Sequence, residues 1–125
     1  MFNVFLVAAG GAAGATSRYL LTLVMGTRAD GWPWPVFLIN VAGSFLIGLL
    51  TGWLTTREAD GEVWRLLLGT GFLGGFTTFS AYSADTLRMM ERGETASAAG
   101  YALGSVLAGL LAVWLGVSIA RRMVS

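Results

Sequence analysis

The chain has 125 residues, of which 55% are hydrophobic and 12% are charged, whereas about 25% of residues are charged in an ordinary soluble domain, so the composition indicates lipid as the solvent. The net charge is +1, and no basic stripe is present that could neutralise phosphates, which argues against a nucleic-acid partner. The absence of both Cys and His excludes disulfides and thiolate or imidazole metal sites, and it leaves no visible nucleophile and base pair for an enzyme.

Four apolar segments follow one another along the chain, and each has about the 20 residues that a membrane helix needs. We predict helices over residues 2–25, 34–55, 63–90 and 95–120. Short polar turns at 26–31, 56–62 and 91–94 separate these helices. The sequence therefore predicts a single all-α membrane domain of four transmembrane helices.

The first segment contains a charged residue, Arg18, within its apolar run. A charge at the bilayer centre costs about 2.5–3.5 kcal/mol on insertion scales, so Arg18 needs a partner or a wet surface. We expect it in a vestibule or an interface rather than as a direct ligand of a bound ion.

The second and fourth segments carry neutral hydrogen-bond donors on one face. Asn40 and Ser44 are four residues apart, as are Tyr101 and Ser105, so each pair shares a helix face. Neutral donors can replace the hydration of a small anion without trapping it. Because Ser and Thr hydroxyls often bond only their own helix backbone, Asn40 is the strongest candidate.

The third segment is interrupted near its middle by Gly74-Gly75 and Thr77-Thr78. Glycine weakens a helix by about 1 kcal/mol relative to Ala, and unwound backbone at membrane depth is tolerated only in protein or along a cavity. Broken membrane helices also present half-helix ends that bind ions. The break alone leaves a packing kink and an ion site as equal alternatives.

Aromatic and charged residues follow this break at helical spacing. Phe76, Phe79 and Tyr82 form a stripe that usually means core packing, but the positive ring edges could also face an anion. Asp85 and Arg88 are i,i+3 neighbours, and we expect them to pair with each other.

Small residues repeat every four positions in three segments, which is typical of closely packed membrane helices. The repeats are Gly10 and Gly14; Ser44, Gly48 and Gly52; and Gly100, Gly104, Ala108, Ala112 and Gly116. We expect them to form helix contacts within a compact bundle, including contacts to a second subunit.

Three stretches together resemble the Fluc (CrcB) family of fluoride channels: residues 10–15 with Arg18-Tyr19, residues 40–45, and residues 74–80. The resemblance covers essentially the whole chain. It implies an antiparallel, dual-topology homodimer in a bacterial inner membrane, with two fluoride pores between the subunits. It also implies passive fluoride export that lowers the cytoplasmic concentration.

The resemblance also implies which residues line the fluoride path. They are Asn40, Phe79, Tyr82, Tyr101 and Ser105, and Arg18 matches a basic residue of the first helix, which we place in the vestibule or interface. We predict that Ser44, Thr78 and Ser80 also line this path. The family usually has Phe where this chain has Tyr82, so the hydroxyl there is a departure that could add a donor or narrow the path. A structural sodium ion is implied at the dimer centre, held by the backbone carbonyls of Gly74 and Thr77 of each subunit.

Two other functions remain as alternatives. A small proton-coupled four-helix exporter needs a titratable carboxylate inside the bilayer, typically on the first helix, but the first acidic residue here is Asp30, in a turn. A structural or assembly subunit would leave the interrupted third segment and Asn40 without a purpose.

Overall fold

The computed structural model describes residues 1–26 and 31–124, and all regular secondary structure in these two stretches is helical. The elements are α1 (Phe2–Met25), α2 (Trp34–Leu54), α3 (Gly61–Trp64), a π-helical segment (Arg65–Leu73), α4 (Gly74–Phe76), α5 (Phe79–Glu91) and α6 (Thr95–Val124). The elements from α3 to α4 are contiguous, and we call residues 61–76 the leading half of the third segment. Most of the predicted turn at 26–31 lies outside the described residues.

Three helices, α1, α2 and α6, are each long and apolar enough to cross a membrane. Their bounds follow the predicted ones closely, with one correction. The last helix does not end at residue 120 but continues through Arg121 and Arg122 to Val124. Arginine is a good helix former, and its charge interacts favourably with the C-terminal end of the helix dipole, so this pair extends the helix.

Nine residues in the leading half of the third segment, Arg65–Leu73, form a π-helix, which the sequence did not predict. Within it, the Gly74 N–H reaches back five residues to the Gly69 carbonyl. Gly69 and Gly71 weaken the regular helix locally, and π-helical turns are frequent near functional sites. The three residues of α4 separate this π-helical stretch from the chain interruption.

Backbone-to-backbone packing joins α1 to this leading half. A Cβ added at Gly10 or Gly14 would overlap the carbonyl oxygens of Leu67 and Phe72, respectively. On the other side of the molecule, a Cβ at Gly48 would overlap the Val113 carbonyl of α6. The predicted packing role of these small residues is confirmed.

The α6 repeat behaves differently at its two ends. A Cβ at Gly116 would overlap the Phe45 carbonyl, so this position is in close contact with α2. A Cβ at Gly100 or Gly104 would meet nothing within 4 Å. The expectation of helix contacts thus holds within the chain only for the second half of the repeat.

Two clusters of buried side chains join the helices. Ile39, Leu50, Leu73 and Phe76 lie between α2 and the third segment. Met89, Ala98 and Tyr101 join α5 to α6, and Trp32, Val36, Phe37 and Tyr82 pack against them. Large apolar side chains such as those of Phe2, Phe5 and Leu107 remain exposed, as expected for a chain solvated by lipid.

Candidate functional site: an interrupted helix beside a polar groove

The third segment changes direction at two extended residues. Thr77 has φ −90° and ψ 157°, and Thr78 has φ −149° and ψ 118°, so neither continues the helix. The chain becomes helical again at Phe79, where the Thr78 hydroxyl accepts a hydrogen bond from the Ala81 N–H at 3.1 Å. Thr78 is therefore the N-cap of α5, which satisfies one of the free N–H groups at the start of that helix.

The side-chain amide of Asn40, on α2, forms hydrogen bonds with the backbone N–H and the backbone carbonyl of Thr78. Its Oδ1 accepts from the Thr78 N–H at 2.9 Å, and its Nδ2 donates to the Thr78 carbonyl at 3.1 Å. A primary amide matches a peptide group in this way because it has a donor and an acceptor side by side. Asn40 thus holds the extended backbone, and one of its two amide hydrogens remains for another acceptor.

Arg18 of α1 reaches the same region from the other side. Its Nε donates to the Gly75 carbonyl at 3.2 Å, three residues before Thr78. Gly75 itself lies against the α1 backbone, because an added Cβ would be 2.5 Å from the Gly11 carbonyl oxygen. The predicted vestibule or interface residue therefore contacts the interrupted helix directly.

Gly74 and Thr77 are among the residues at the interruption whose carbonyls lose their helical donors. In a continuous α-helix the Gly74 carbonyl would accept from the Thr78 N–H, and the Thr77 carbonyl from the Ala81 N–H. Here the Thr78 N–H bonds Asn40, and the Ala81 N–H bonds the Thr78 hydroxyl. These are the two carbonyls that the sequence resemblance assigns to sodium, and such freed carbonyls at a helix break suit a hard monovalent cation.

Side-chain carboxylates do not provide a competing metal site in the described part of the chain. No group of three or more His, Cys, Asp or Glu residues lies close enough there to hold a metal ion.

A groove of about 370 Å³ opens beside the interruption, and we call it the site groove. Its lining comes from α2, the third segment and α6: Asn40, Gly43, Ser44, Ile47, Leu73, Thr77, Thr78, Phe79, Tyr82, Ser105 and Val106. None of these residues is acidic or basic. Six of the eight residues predicted for the fluoride path are among them, and the other two are Ser80 and Tyr101.

The two aromatic residues after the interruption differ in their surroundings. The Phe79 ring is 79% exposed, and its centroid is 5.6 Å from that of Tyr82. The Tyr82 hydroxyl donates to the Ala102 carbonyl of α6 at 2.8 Å. The extra hydroxyl of this chain therefore bonds a neighbouring helix, and its hydrogen does not point at an ion in the groove.

Tyr101 lies behind the groove. It has no exposed surface, packs edge-on against Trp32, and its hydroxyl is 3.5 Å from a carboxylate oxygen of Asp85. Asp85 also forms the predicted ion pair with Arg88, which is confirmed. The place of Tyr101 on the fluoride path stays a prediction, and the structure puts its ring next to Tyr82 instead, with the centroids 5.4 Å apart.

The serine and threonine hydroxyls near the groove differ in whether they have a hydrogen-bond partner. Within the described residues, the Ser105 Oγ is buried and has no hydrogen-bond partner, although Ser105 lines the groove. The Ser80 Oγ lies 3.2 Å from the Thr78 Oγ1. Burying a hydroxyl without a partner is costly, so Ser105 is poised to donate to something that enters the groove.

The sequence reasoning missed some residues that shape the groove. Gly43 is one of them, because an added Cβ would overlap the Thr77 side chain. The signal was available, since Gly43 is one turn after Asn40 on the same face of α2. Ile47, Leu73 and Val106 also line the groove, but apolar residues in an apolar segment carry no distinguishing pattern.

Comparison with known proteins identifies the family of the chain. Residues 5–117 match the family described as CrcB-like protein, Camphor Resistance (CrcB). The protein named "Fluoride-specific ion channel FluC" from Phenylobacterium zucineum (strain HLK1) is 50% identical, over 98% of this chain and 98% of its own. The protein of the same name from Caulobacter sp. (strain K31) is 46% identical, over 100% of this chain and 99% of its own. "Fluoride-specific ion channel FluC 1" of Mycolicibacterium paratuberculosis (strain ATCC BAA-968 / K-10) is 45% identical, over 94% of this chain and 89% of its own. The chain belongs to the CrcB family.

Proposed function

We propose that this protein is a fluoride-specific channel that lets fluoride leave the cell passively. The observation that carries the proposal is the site groove, which combines a helix interruption with neutral donors and has no acidic residue in its lining. An anion path needs donors and no fixed negative charge, and conduction needs binding weak enough for the ion to leave. The names of the relatives point to the same ion.

The groove offers several donors to a small anion. The remaining amide hydrogen of Asn40 comes from α2, and the unpartnered hydroxyl of Ser105 comes from α6. The start of α5 adds N–H groups and the positive end of a helix dipole, because the cap of Thr78 satisfies only the Ala81 N–H. The exposed ring of Phe79 can turn its positive edge toward the same space.

The open side of the groove supports a homodimer. A groove on the surface of one chain would face lipid, which cannot replace the hydration of an anion. A second copy that covers it would seal an ion path and bury the Phe79 ring. We take this dimer to be antiparallel, with both orientations inserted in the bacterial inner membrane and the helix interruption near the middle of the bilayer.

The freed carbonyls of Gly74 and Thr77 support the sodium ion at the centre of this dimer. Two such carbonyls from each subunit would supply four oxygen ligands without any carboxylate. Such an ion would fix the two interruptions against each other and has no part in fluoride transfer. We expect exchange of sodium for N-methylglucamine to lower the thermal midpoint of the detergent-solubilised dimer, and an equal midpoint in both buffers would contradict this site.

A proton-coupled exporter is the second candidate, because Asp85 is a buried carboxylate, 8% exposed, close to the groove. However, its partners are Arg88 and Tyr101, and it lies outside the groove lining. A carboxylate outside the groove lining is poorly placed to contact a substrate there. The geometry therefore favours the channel.

Fluoride release from liposomes tests the proposal. Purified protein is reconstituted into vesicles loaded with fluoride or chloride, and each ion is followed with its own electrode. We expect fast fluoride release driven by the ion gradient alone, with chloride retained. Equal release of both ions would contradict the proposed selectivity, and release only under an imposed proton gradient would favour the exporter.

A further inference from the structure

A second groove, of about 580 Å³, lies along the same side of α2, and we call it the mouth groove. Its lining residues are Ile47, Leu50, Thr51, Leu54, Thr55, Arg65, Gly69 and Thr70. It carries three threonines and an arginine, and it reaches the end of α2 that leads into the loop before α3. Among the described lining residues, it shares only Ile47 with the site groove.

One face of α2 lines both grooves. Asn40 and Ser44 lie in the site groove, whereas Thr51 and Thr55 lie in the mouth groove. At 1.5 Å per residue, the distance along the helix from the first to the last of these is about 22 Å. The spacing places one further position on this face between Ser44 and Thr51, and Ile47 occupies it. Along this row of α2 positions, Ile47 is the apolar side chain that separates the polar residues of the two grooves.

The Ile47 side chain is held firmly in place. It is half-buried and packs against the buried cluster that contains Leu50 and Leu73. A Cβ added at Gly69 would be 3.6 Å from the Ile47 Cδ1, so the facing wall of the π-helical segment is bare backbone. A β-branched side chain has few rotamers, which limits its ability to swing aside.

We propose that Ile47 is the hydrophobic constriction between the mouth groove and the site groove and that it sets the fluoride conductance. This inference rests on the proposed channel function. The mouth groove contains the Arg65 guanidinium, which pairs with Glu62, and three threonines, of which Thr51 and Thr55 donate their hydroxyls to the α2 backbone. The site groove offers donors to the ion. At Ile47 the ion meets an apolar side chain that offers no donor, and such constrictions raise the barrier to permeation.

Single-channel recording in planar bilayers tests the role of Ile47 directly. The current amplitude of one channel does not depend on how much protein folds, so it separates a constriction from a packing residue. The variants are Ile47→Thr, which keeps the branched shape and adds a hydroxyl, and Ile47→Phe, which fills the passage. Leu46→Thr is the matched control, because Leu46 is the preceding α2 residue, is 40% exposed and lines neither groove.

We expect the fluoride current amplitude to rise at least about twofold in Ile47→Thr and to fall at least about fivefold in Ile47→Phe, with Leu46→Thr like the wild type. Amplitudes equal to wild type in both Ile47 variants, with only fewer channels, would overturn the inference, as would a smaller current in Ile47→Thr. If the wild-type protein carries no fluoride current, the proposed function fails and the inference fails with it.

Discussion

The side-chain amide of Asn40 forms a pair of hydrogen bonds with the backbone of Thr78, 38 residues later in the chain. This pairing replaces the helical bond that the Thr78 N–H would otherwise make to the Gly74 carbonyl. The residue that the sequence marks as the strongest donor for an ion therefore also supports the interrupted backbone. Its effects on folding and on fluoride flux are coupled.

Replacing Asn40 with Ala should harm both stability and flux. Two hydrogen bonds are lost, each worth about 0.5–1.5 kcal/mol, so the free energy of unfolding should fall by about 1–3 kcal/mol. Fluoride flux per folded dimer should also fall at least about tenfold, which corresponds to roughly 1.4 kcal/mol on the barrier. Denaturation in detergent gives the first quantity, and liposome efflux normalised to the folded dimer gives the second.

The matched control is Asn3→Ala, at an exposed position of α1. It should leave both quantities at their wild-type values. Wild-type flux in Asn40→Ala, measured per folded dimer, would remove Asn40 from the fluoride path even if its stability fell as expected.

The aromatic pair after the interruption should respond unequally to substitution. Phe79→Ile removes a ring that is exposed in the single chain, so it should leave the fold of the subunit intact but reduce flux per folded dimer at least about tenfold. Tyr82→Phe keeps the ring but removes the hydroxyl, whose bond goes to the Ala102 carbonyl. It should cost about 1 kcal/mol of stability and change flux by less than about twofold.

The measurements are the same efflux and denaturation assays, with each variant serving as the control for the other. A large flux defect in Tyr82→Phe would show that the hydroxyl meets the ion, against the geometry in which it donates to α6. Unchanged flux in Phe79→Ile would assign the exposed ring to the lipid or to packing alone.

Much of the site could be predicted from local sequence features. Paired glycines followed by paired threonines cannot continue a helix easily, and the chain is extended at Thr77 and Thr78. Asn40 and Ser44 share a face by helical periodicity, and both line the site groove. These features depend on residues close together in the chain, which is why the pattern reveals them.

The remaining features depend on how distant helices meet, which the pattern does not contain. The partner of the Tyr82 hydroxyl is a backbone carbonyl 20 residues away, and every residue has such a carbonyl. Tyr101 and Ser105 share a face of α6, yet in the packed structure Tyr101 lies behind the groove and Ser105 lines it. The π-helical stretch of residues 65–73 likewise lies against α1, a contact between parts of the chain that are far apart in sequence.

Two glycines with the same local sequence role should differ in their tolerance of Ala. At Gly14 an added Cβ would overlap the Phe72 carbonyl, so Gly14→Ala must push α1 away from the third segment. We expect little folded protein, judged by size-exclusion chromatography. At Gly100 nothing lies within 4 Å in the isolated chain, and Ala is favoured over Gly in a helix by about 1 kcal/mol.

Gly100→Ala should therefore fold at least as well as the wild type. If Gly100→Ala folds as a stable monomer but no longer dimerises, the open face of α6 belongs to the subunit interface. A normal dimer in Gly14→Ala would contradict the close packing of α1 against the third segment.

The final prediction concerns orientation in the membrane. Four spans put both termini on one side, which then carries Arg57, Arg65, Arg121 and Arg122. The other side carries Arg88 and Arg92, together with Arg28, which lies outside the described residues. Orientation follows the bias in Lys and Arg between the two sides, and four against three is almost no bias.

The chain should therefore insert both ways, and a tag on the C-terminus should be found on both faces of the inner membrane. Labelling with a membrane-impermeant reagent, before and after the cells are opened, measures the two populations. Two arginines added after residue 125 should move the tag to the cytoplasmic face and reduce fluoride resistance, because antiparallel dimers then lack one orientation. Coexpression with a variant biased the opposite way should restore resistance. A wild-type tag found on one face only would contradict dual topology.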